Sequence, residues 1–185
     1  MDTSYSFKTL DFITSKIEAG NNIDIIFLDF AKAFDSVSLL KLCCELYGYG
    51  FHSYILQWCK LFLSNRKQRV VLGEFVSDWQ EVTSGISQGY VLGPLLFIII
   101  INDLKVNILN KLELFADDTK IMSVINNVCN SSALQEDLNK LLDWSNKWSI
   151  KFNGKKCKTM HIGNVNPQFS YKLGDHILQK KLKEI

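Results

Sequence analysis

Residues 23–35 read IDIIFLDFAKAFD: an apolar, β-branched run drives into Asp29, and a second aspartate, Asp35, follows six residues later. Shortness and the isoleucines make residues 23–30 a buried strand rather than a piece of helix. A carboxylate closing such a strand is costly unless it has a partner, an exit to solvent or a metal. A second place breaks the pattern in the same way. KLELFADDTKIMSVI (111–125) is two strand-like runs meeting at Asp117-Asp118, a hairpin with its charges at the tip. Alone, an Asp-Asp pair is ordinary turn chemistry and Asp29 a cap for the helix after it. If the two strands are sheet neighbours, three carboxylates converge at one end. Their mutual repulsion is relieved by divalent cations, and Mg²⁺ suits an oxygen-only site. Two ions ~4 Å apart stabilise both the attacking and the leaving oxygen of an in-line phosphoryl displacement.

The surroundings suit one domain of mixed α and β. The chain has 185 residues, 47% of them hydrophobic and 12% aromatic, enough to enclose a core. Net charge is +2, unevenly spread: residues 1–145 carry 12 basic and 17 acidic side chains, residues 146–185 carry 9 and 2. An acidic body with a basic end fits a carboxylate site beside a phosphate-facing surface, or simply a solvated lysine face. The five cysteines form no CxxC pair and the three histidines show no ligand spacing, so zinc is not expected. With no signal peptide, they read as reduced thiols of an intracellular protein. LGPLLFIIII (92–101) is too short to span a bilayer and reads as a buried segment.

Periodicity predicts helices over 7–19, from Ser36 or Ser38 to about Tyr47, over 53–63, and from Pro94 to about Val106. Residues 67–83 read as a basic strand, a Gly73 turn and a return. The clearest helix begins at Ser131 or Ser132, where Ser132 and Gln135 resemble a capping box, and carries Leu134, Leu138, Leu141, Leu142 and Trp148. Short strands end the chain: SIKFN, KTMHIG and YKLGDHIL.

Four segments in order, FLDFAKAFD (27–35), SGISQGYVLGPLLFIIIINDL (84–104), LFADD (114–118) and WSNKWSIKFNGKKCKTMHIG (144–163), resemble the successive palm motifs of reverse transcriptases, and most closely those of non-LTR, Jockey-type retrotransposons. The likeness runs from about residue 7 onward. It implies an α+β polymerase palm: a ferredoxin-like antiparallel sheet with helices packed on one face, and fingers, thumb and endonuclease absent. Residues 1–22 would be a remnant of the fingers–palm junction, and 146–185 the basic last strands with a primer-grip-like hairpin.

The resemblance also implies roles. Asp29 and Asp117 would share two Mg²⁺ ions (Mn²⁺ as substitute), with Asp118 as a supporting carboxylate and the Phe30 carbonyl completing one shell. Phe34 would lie beneath the incoming sugar and exclude a 2′-hydroxyl. Gln88 and Gly89 would lie against the nucleotide and template base. Lys156 is similar to the lysine that protonates the departing pyrophosphate; Lys155 and Lys158 read as solvated or near phosphate. Asp35 reads as structural. Tyr171–Leu178, with Gly174 at its turn, resembles the hairpin that holds the primer terminus. Arg66, Lys67 and Arg69 are candidates for the nucleic-acid backbone, or a plain basic strand edge. Ser87 and Tyr90 stand where the family has proline and serine, and Ile100 where an aromatic residue is common. Partners would be an RNA template, a DNA primer and deoxynucleoside triphosphates, with no membrane, and a nuclear location follows from the family alone. Two other readings stay open: an inactive truncated remnant or nucleic-acid-binding module, and another palm-type nucleotidyltransferase. Phe34 counts against a polymerase that makes RNA.

Overall fold

The computed structural model describes residues 3–86, 91–115 and 118–181. Their order is α1 (Thr3–Glu18), β1 (Ile23–Asp29), α2 (Leu39–Gly48), α3 (Ser53–Leu63), β2 (Lys67–Gln68), β3 (Val71–Leu72), β4 (Phe75–Val76), β5 (Gln80–Glu81), α4 (Leu92–Ile101), β6 (Lys111–Phe115), β7 (Asp118–Val124), α5 (Val128–Trp148), β8 (Lys158–Ile162), β9 (Lys172–Leu173), β10 (His176–Ile177) and β11 (Gln179–Lys180). They form two compact units. The first holds residues 1–30, 104–144 and 152–185, the second residues 31–103 and 145–151.

The first unit is built on a five-stranded sheet of order β11-β8-β1-β7-β6. β1 is central because it is apolar enough to be buried on both faces, with Asp24 as the polar exception before its half-exposed end at Asp29. It runs antiparallel to β7, from Ile23 opposite Val124 to Asp29 opposite Asp118, and antiparallel to β8 on its other side. β6 and β7 are the expected hairpin. Two features amend the expected palm sheet. β11 joins β8 in parallel, so the sheet is mixed. Helices also meet both faces: Phe12 and Ile13 of α1 pack on Ile23, Ile25 and Met122, while Trp144 of α5 tilts against Phe30, whose side chain belongs to the other face. Both faces of β1 carry apolar side chains, so both need cover.

α5 starts three to four residues before its expected position. Asn127 Oδ1 accepts the N–H of Asn130 at 3.0 Å and Asn130 Oδ1 accepts that of Asn126 at 3.2 Å, a near-reciprocal cap. Ser131 instead lies inside the helix and donates to the Val128 carbonyl. Gln135 is freed from capping and grips the backbone of Lys172 through two hydrogen bonds, at 2.8 and 2.9 Å. Leu134, Leu138 and Leu141 are fully buried, as their spacing requires. SIKFN yields one bridge, Phe30 with Phe152, rather than a strand, because the chain turns at Ser149 with positive φ.

A buried polar knot closes the far end of the sheet. Asp24 is fully buried and accepts from Tyr171 Oη at 2.6 Å and Asn166 Nδ2 at 2.8 Å, with His161 Nδ1 at 2.7 Å. It therefore joins β1, β8 and the segment leading into β9. A buried carboxylate is tolerable only with such a set of partners.

The second unit packs α2 with α3 and α4 and carries two small antiparallel ladders, β2 with β5 and β3 with β4, the latter turning at Gly73 in the left-handed region. α4 passes into a 3-10 turn, Asn102–Lys105, instead of continuing as α-helix to Val106. Among the described residues no helix is long and apolar enough to cross a membrane.

Candidate active site

Antiparallel pairing carries Asp29 to the last position of β1 and Asp118 to the first of β7, directly opposite one another. Directly opposed residues share a face, with Cβ atoms about 5 Å apart, so the two carboxylates flank one strip at the sheet's open end. Asp118 is exposed and Asp29 half-exposed.

The backbone around Asp29 is fixed from the β8 side. Its N–H donates to the buried Cys157 thiol at 3.4 Å, and its carbonyl accepts the Asn153 N–H at 2.7 Å. Burial pushes the Cys157 thiol up, the Asp29 N–H pulls it down to a lesser degree, and the Asp29 charge adds to the rise, so it stays protonated. Residues 153–157 form a tight turn in which Lys156 and Cys157 both donate backbone N–H groups to the Asn153 carbonyl. Gly154 leaves room there for the His176 ring, which a Cβ would approach within 2.5 Å. This turn presents Lys156, whose ammonium lies 3.5 Å from Asp29 Oδ1. That is an ion pair without hydrogen-bond geometry, for Oδ1 is buried and accepts no hydrogen bond. An orphaned carboxylate oxygen next to a second carboxylate is a hard-oxygen donor set of the kind Mg²⁺ takes, and the residues present fit such an ion. Among the described residues no three His, Cys, Asp or Glu side chains gather into a metal group. Asp117, the third expected ligand, lies outside the described residues, as do Gln88, Gly89, Ser87 and Tyr90.

Phe30 stacks on Phe152 with ring centroids 4.6 Å apart, which holds the end of β1 in place. The sequence offers Lys155, Lys156 and Lys158 beside the acid pair but singles out neither Phe27 nor Lys181 there. A cavity of about 410 Å³ is lined by Phe27, Leu28, Asp29, Asp118, Lys155, Lys156, Lys158 and Lys181. Phe27 lies two residues before Asp29 and Lys120 two after Asp118, a period-two spacing that shares their face and was readable in principle. Lys181 follows β11, and its convergence depends on a pairing no local pattern announces.

The remaining candidates lie elsewhere in their units. In the second unit Phe34 opens a 3-10 turn, Phe34–Ser36, and its ring meets Phe97 at 4.8 Å. The turn is stapled to the loop ahead of Gln88: Gly85 N–H donates to the Val37 carbonyl, Ile86 N–H to that of Phe34, each at 2.8 Å, and Ser84 Oγ to that of Asp35 at 3.0 Å. Arg66 donates from Nε to the Leu63 carbonyl and from Nη2 to the Gly85 carbonyl, so it binds this same loop. Lys67 is exposed on β2, and the Arg69 guanidinium stacks over Trp79 at 4.6 Å. Ile100 is buried. In the first unit Gly174 turns β9 into β10 with φ of 60°.

Comparison with known proteins agrees with this architecture. Residues 2–183 match the family model described as reverse transcriptase (RNA-dependent DNA polymerase). The chain is similar to the RNA-directed DNA polymerase from mobile element jockey of Drosophila melanogaster, 27% identical over 150 residues, covering 75% of this chain and 16% of that protein. It is 29% identical over 160 residues to the probable RNA-directed DNA polymerase from transposon BS of the same species, covering 80% and 16%. The chain thus spans about a sixth of the length of these relatives. Among solved structures it resembles telomerase from Candida tropicalis, with TM-score 0.66, 13% identity, and coverage of 93% of this chain and 37% of that one. Telomerase from Candida albicans, solved with a fragment of telomeric RNA, gives TM-score 0.64 at 13% identity, covering 93% and 32%. At that identity these two speak for the fold alone. The family match across nearly the whole chain makes this protein a member of the reverse transcriptase (RNA-dependent DNA polymerase) family, with relatives among the polymerases of jockey-type mobile elements.

Proposed function

We propose that this chain is the palm of an RNA-directed DNA polymerase, which adds deoxynucleotides to a primer 3′-hydroxyl on an RNA template. The observation that carries the reading is the β1–β7 register, which sets Asp29 against Asp118 at the open end of the sheet. In this reading the first unit's sheet is a ferredoxin-like palm sheet, and Asp29, Asp117, Asp118 and the Phe30 carbonyl hold divalent ions. When bound, a pair of Mg²⁺ ions stabilises charge on the attacking and leaving oxygens of the phosphoryl transfer.

The protein's own residues do the rest. The bonds from Cys157 and Asn153 fix the Asp29 backbone, so its carboxylate is held in place before substrate arrives. Lys156 neutralises Asp29 and gives a proton to the departing pyrophosphate. By family resemblance Phe34 excludes a ribose 2′-hydroxyl, and Gln88 and Gly89 meet the nucleotide and template. The stapled loop and the Phe34 turn then act as one piece.

The relatives are about five times as long, so the test supplies what they carry around this region. Residues 1–185 are joined to the flanking polymerase regions of a jockey-type relative and assayed for primer extension on an RNA template. Extension requires Mg²⁺ or Mn²⁺ and disappears in Asp117→Ala. A chimera that extends equally well with Asp117 replaced sinks the assignment.

A further inference from the structure

Phe27 sits on β1 between two lysines: the register puts Lys120 of β7 opposite it on one side and Lys158 of β8 on the other. A third, Lys181, reaches over the same ring with its ammonium 4.6 Å from the centroid, while that of Lys120 lies at 6.0 Å. The backbone N–H of Lys181 donates to the Thr159 carbonyl at 2.7 Å, which ties this lysine to β8. Among the described residues, no carboxylate forms an ion pair with Lys155, Lys158 or Lys181. Lysines brought together on an aromatic floor repel one another, and a cation over a ring recovers only a part of that cost. An anion in the 410 Å³ cavity lined by Lys155, Lys158 and Lys181 relieves it. The ring of Phe27 is two residues, about 7 Å, along β1 from Asp29 and on the same face. A group bound over Phe27 therefore lies next to whatever reacts at Asp29 and Asp118.

We propose that Lys158 and Lys181, which line this cavity beside Phe27, form a binding site for a phosphate oxyanion. The phosphate is either a phosphodiester of the nucleic-acid strand ending at Asp29 and Asp118 or the pyrophosphate released there. The choice of those two sources rests on the polymerase reading; the anion site does not. Phe27 supplies an apolar floor beneath the Lys181 ammonium, and Lys156, engaged with Asp29, marks the boundary with the acid pair.

The test uses the 185-residue chain in EDTA, so that neither metal nor synthesis is involved. Two probes are titrated: inorganic pyrophosphate by calorimetry and a labelled single-stranded oligothymidylate by anisotropy. The variants are Lys158→Ala/Lys181→Ala, the charge reversal Lys158→Glu/Lys181→Glu, and a control pair outside the cavity, Lys60→Glu/Lys105→Glu. The altered lysines 158 and 181 are exposed, and circular dichroism checks that each variant folds. If the source is a phosphodiester, the alanine pair weakens oligonucleotide binding and lowers its log–log salt slope by about 1.4, as expected for two contacts to a single strand. If it is pyrophosphate, the same pair abolishes the calorimetric signal and leaves the oligonucleotide curve in place. Either result supports the site. Equal losses in the control pair, or no change for either probe, overturn it. Asp29→Asn separates this outcome from the polymerase reading. It ends extension in the chimera if that reading holds, yet here it leaves phosphate binding intact or tighter because a nearby negative charge is gone.

Discussion

The ammonium of Lys156 stands 3.5 Å from Oδ1 of Asp29, near enough to neutralise the carboxylate and badly placed to hydrogen-bond it. A lysine so placed competes with any cation for the same oxygen, and in the proposed reaction it also gives its proton to the leaving group. The two roles give opposite signs. Lys156→Ala tightens Mn²⁺ binding to the 185-residue chain several-fold, as read by electron paramagnetic resonance. In the chimera it slows extension by about a hundredfold, the low end of what a positioned acid contributes. Weaker Mn²⁺ binding in the variant contradicts the competition.

Tyr171 donates to the buried Asp24 carboxylate at 2.6 Å. Burial, then that hydrogen bond, then the Asp24 charge push the phenol well above its usual range. A phenol raised on folding gives stability that is fully present below the unfolded value, about 10, and is lost as pH climbs toward the folded one. Urea melts from pH 8 to 11 should show the wild type losing up to ~1.4 kcal/mol per pH unit above about 10 from this group. Tyr171→Phe should lose that slope and cost roughly 1–3 kcal/mol at pH 8, because Asp24 is left short of a donor. Parallel pH curves for the two proteins count against the assignment.

Gly85 has φ of 90°, and a Cβ there would stand 2.8 Å from the Asp35 Cα and 3.0 Å from the carbonyl oxygens of Phe34 and Asp35. All three are backbone atoms and none gives way. Gly85→Ala is expected to cost more than 1 kcal/mol, from strain and the clash together. In hydrogen exchange the amides of Gly85 and Ile86 lose protection, because both bond to the displaced turn. Arg66→Ala acts on the same amides more weakly. Unchanged protection in Gly85→Ala contradicts the stapled loop.

The cap of α5 offers a comparison within one helix. Asn127→Ala should cost about 1 kcal/mol, the ordinary value of an N-cap side chain. Ser132→Ala, inside the helix, should be close to neutral in the same denaturant melts. A reversed order restores the capping box at Ser132.

Much of the frame was legible because it rests on local chemistry. The apolar run ending on Asp29 and the hairpin around Asp117-Asp118 each announced a strand, and their shared fate, a carboxylate at the tip, announced the partnership. The start of α5 was misread because Asn127, Ser131 and Ser132 are all good cap residues, and only the bonds they make separate them. Asp24, a charge inside IDIIF, was a visible anomaly, but its partners His161, Asn166 and Tyr171 lie more than 130 residues away. The same holds for Lys181, which reaches Phe27 only through the parallel addition of β11. Arg66 read as a nucleic-acid contact or a basic strand edge, since side chains that serve the chain's own carbonyls look no different in sequence from those that face a ligand.

The central claim concerns the carboxylates at the end of β1 and the start of β7, and Mn²⁺ soaked into crystals of the 185-residue chain tests it most directly. Anomalous scattering should place manganese at the side chains of Asp29 and Asp118, and the peak should vanish in crystals of Asp29→Asn. Manganese bound elsewhere on the chain, with nothing at that pair under saturating metal, would contradict the account.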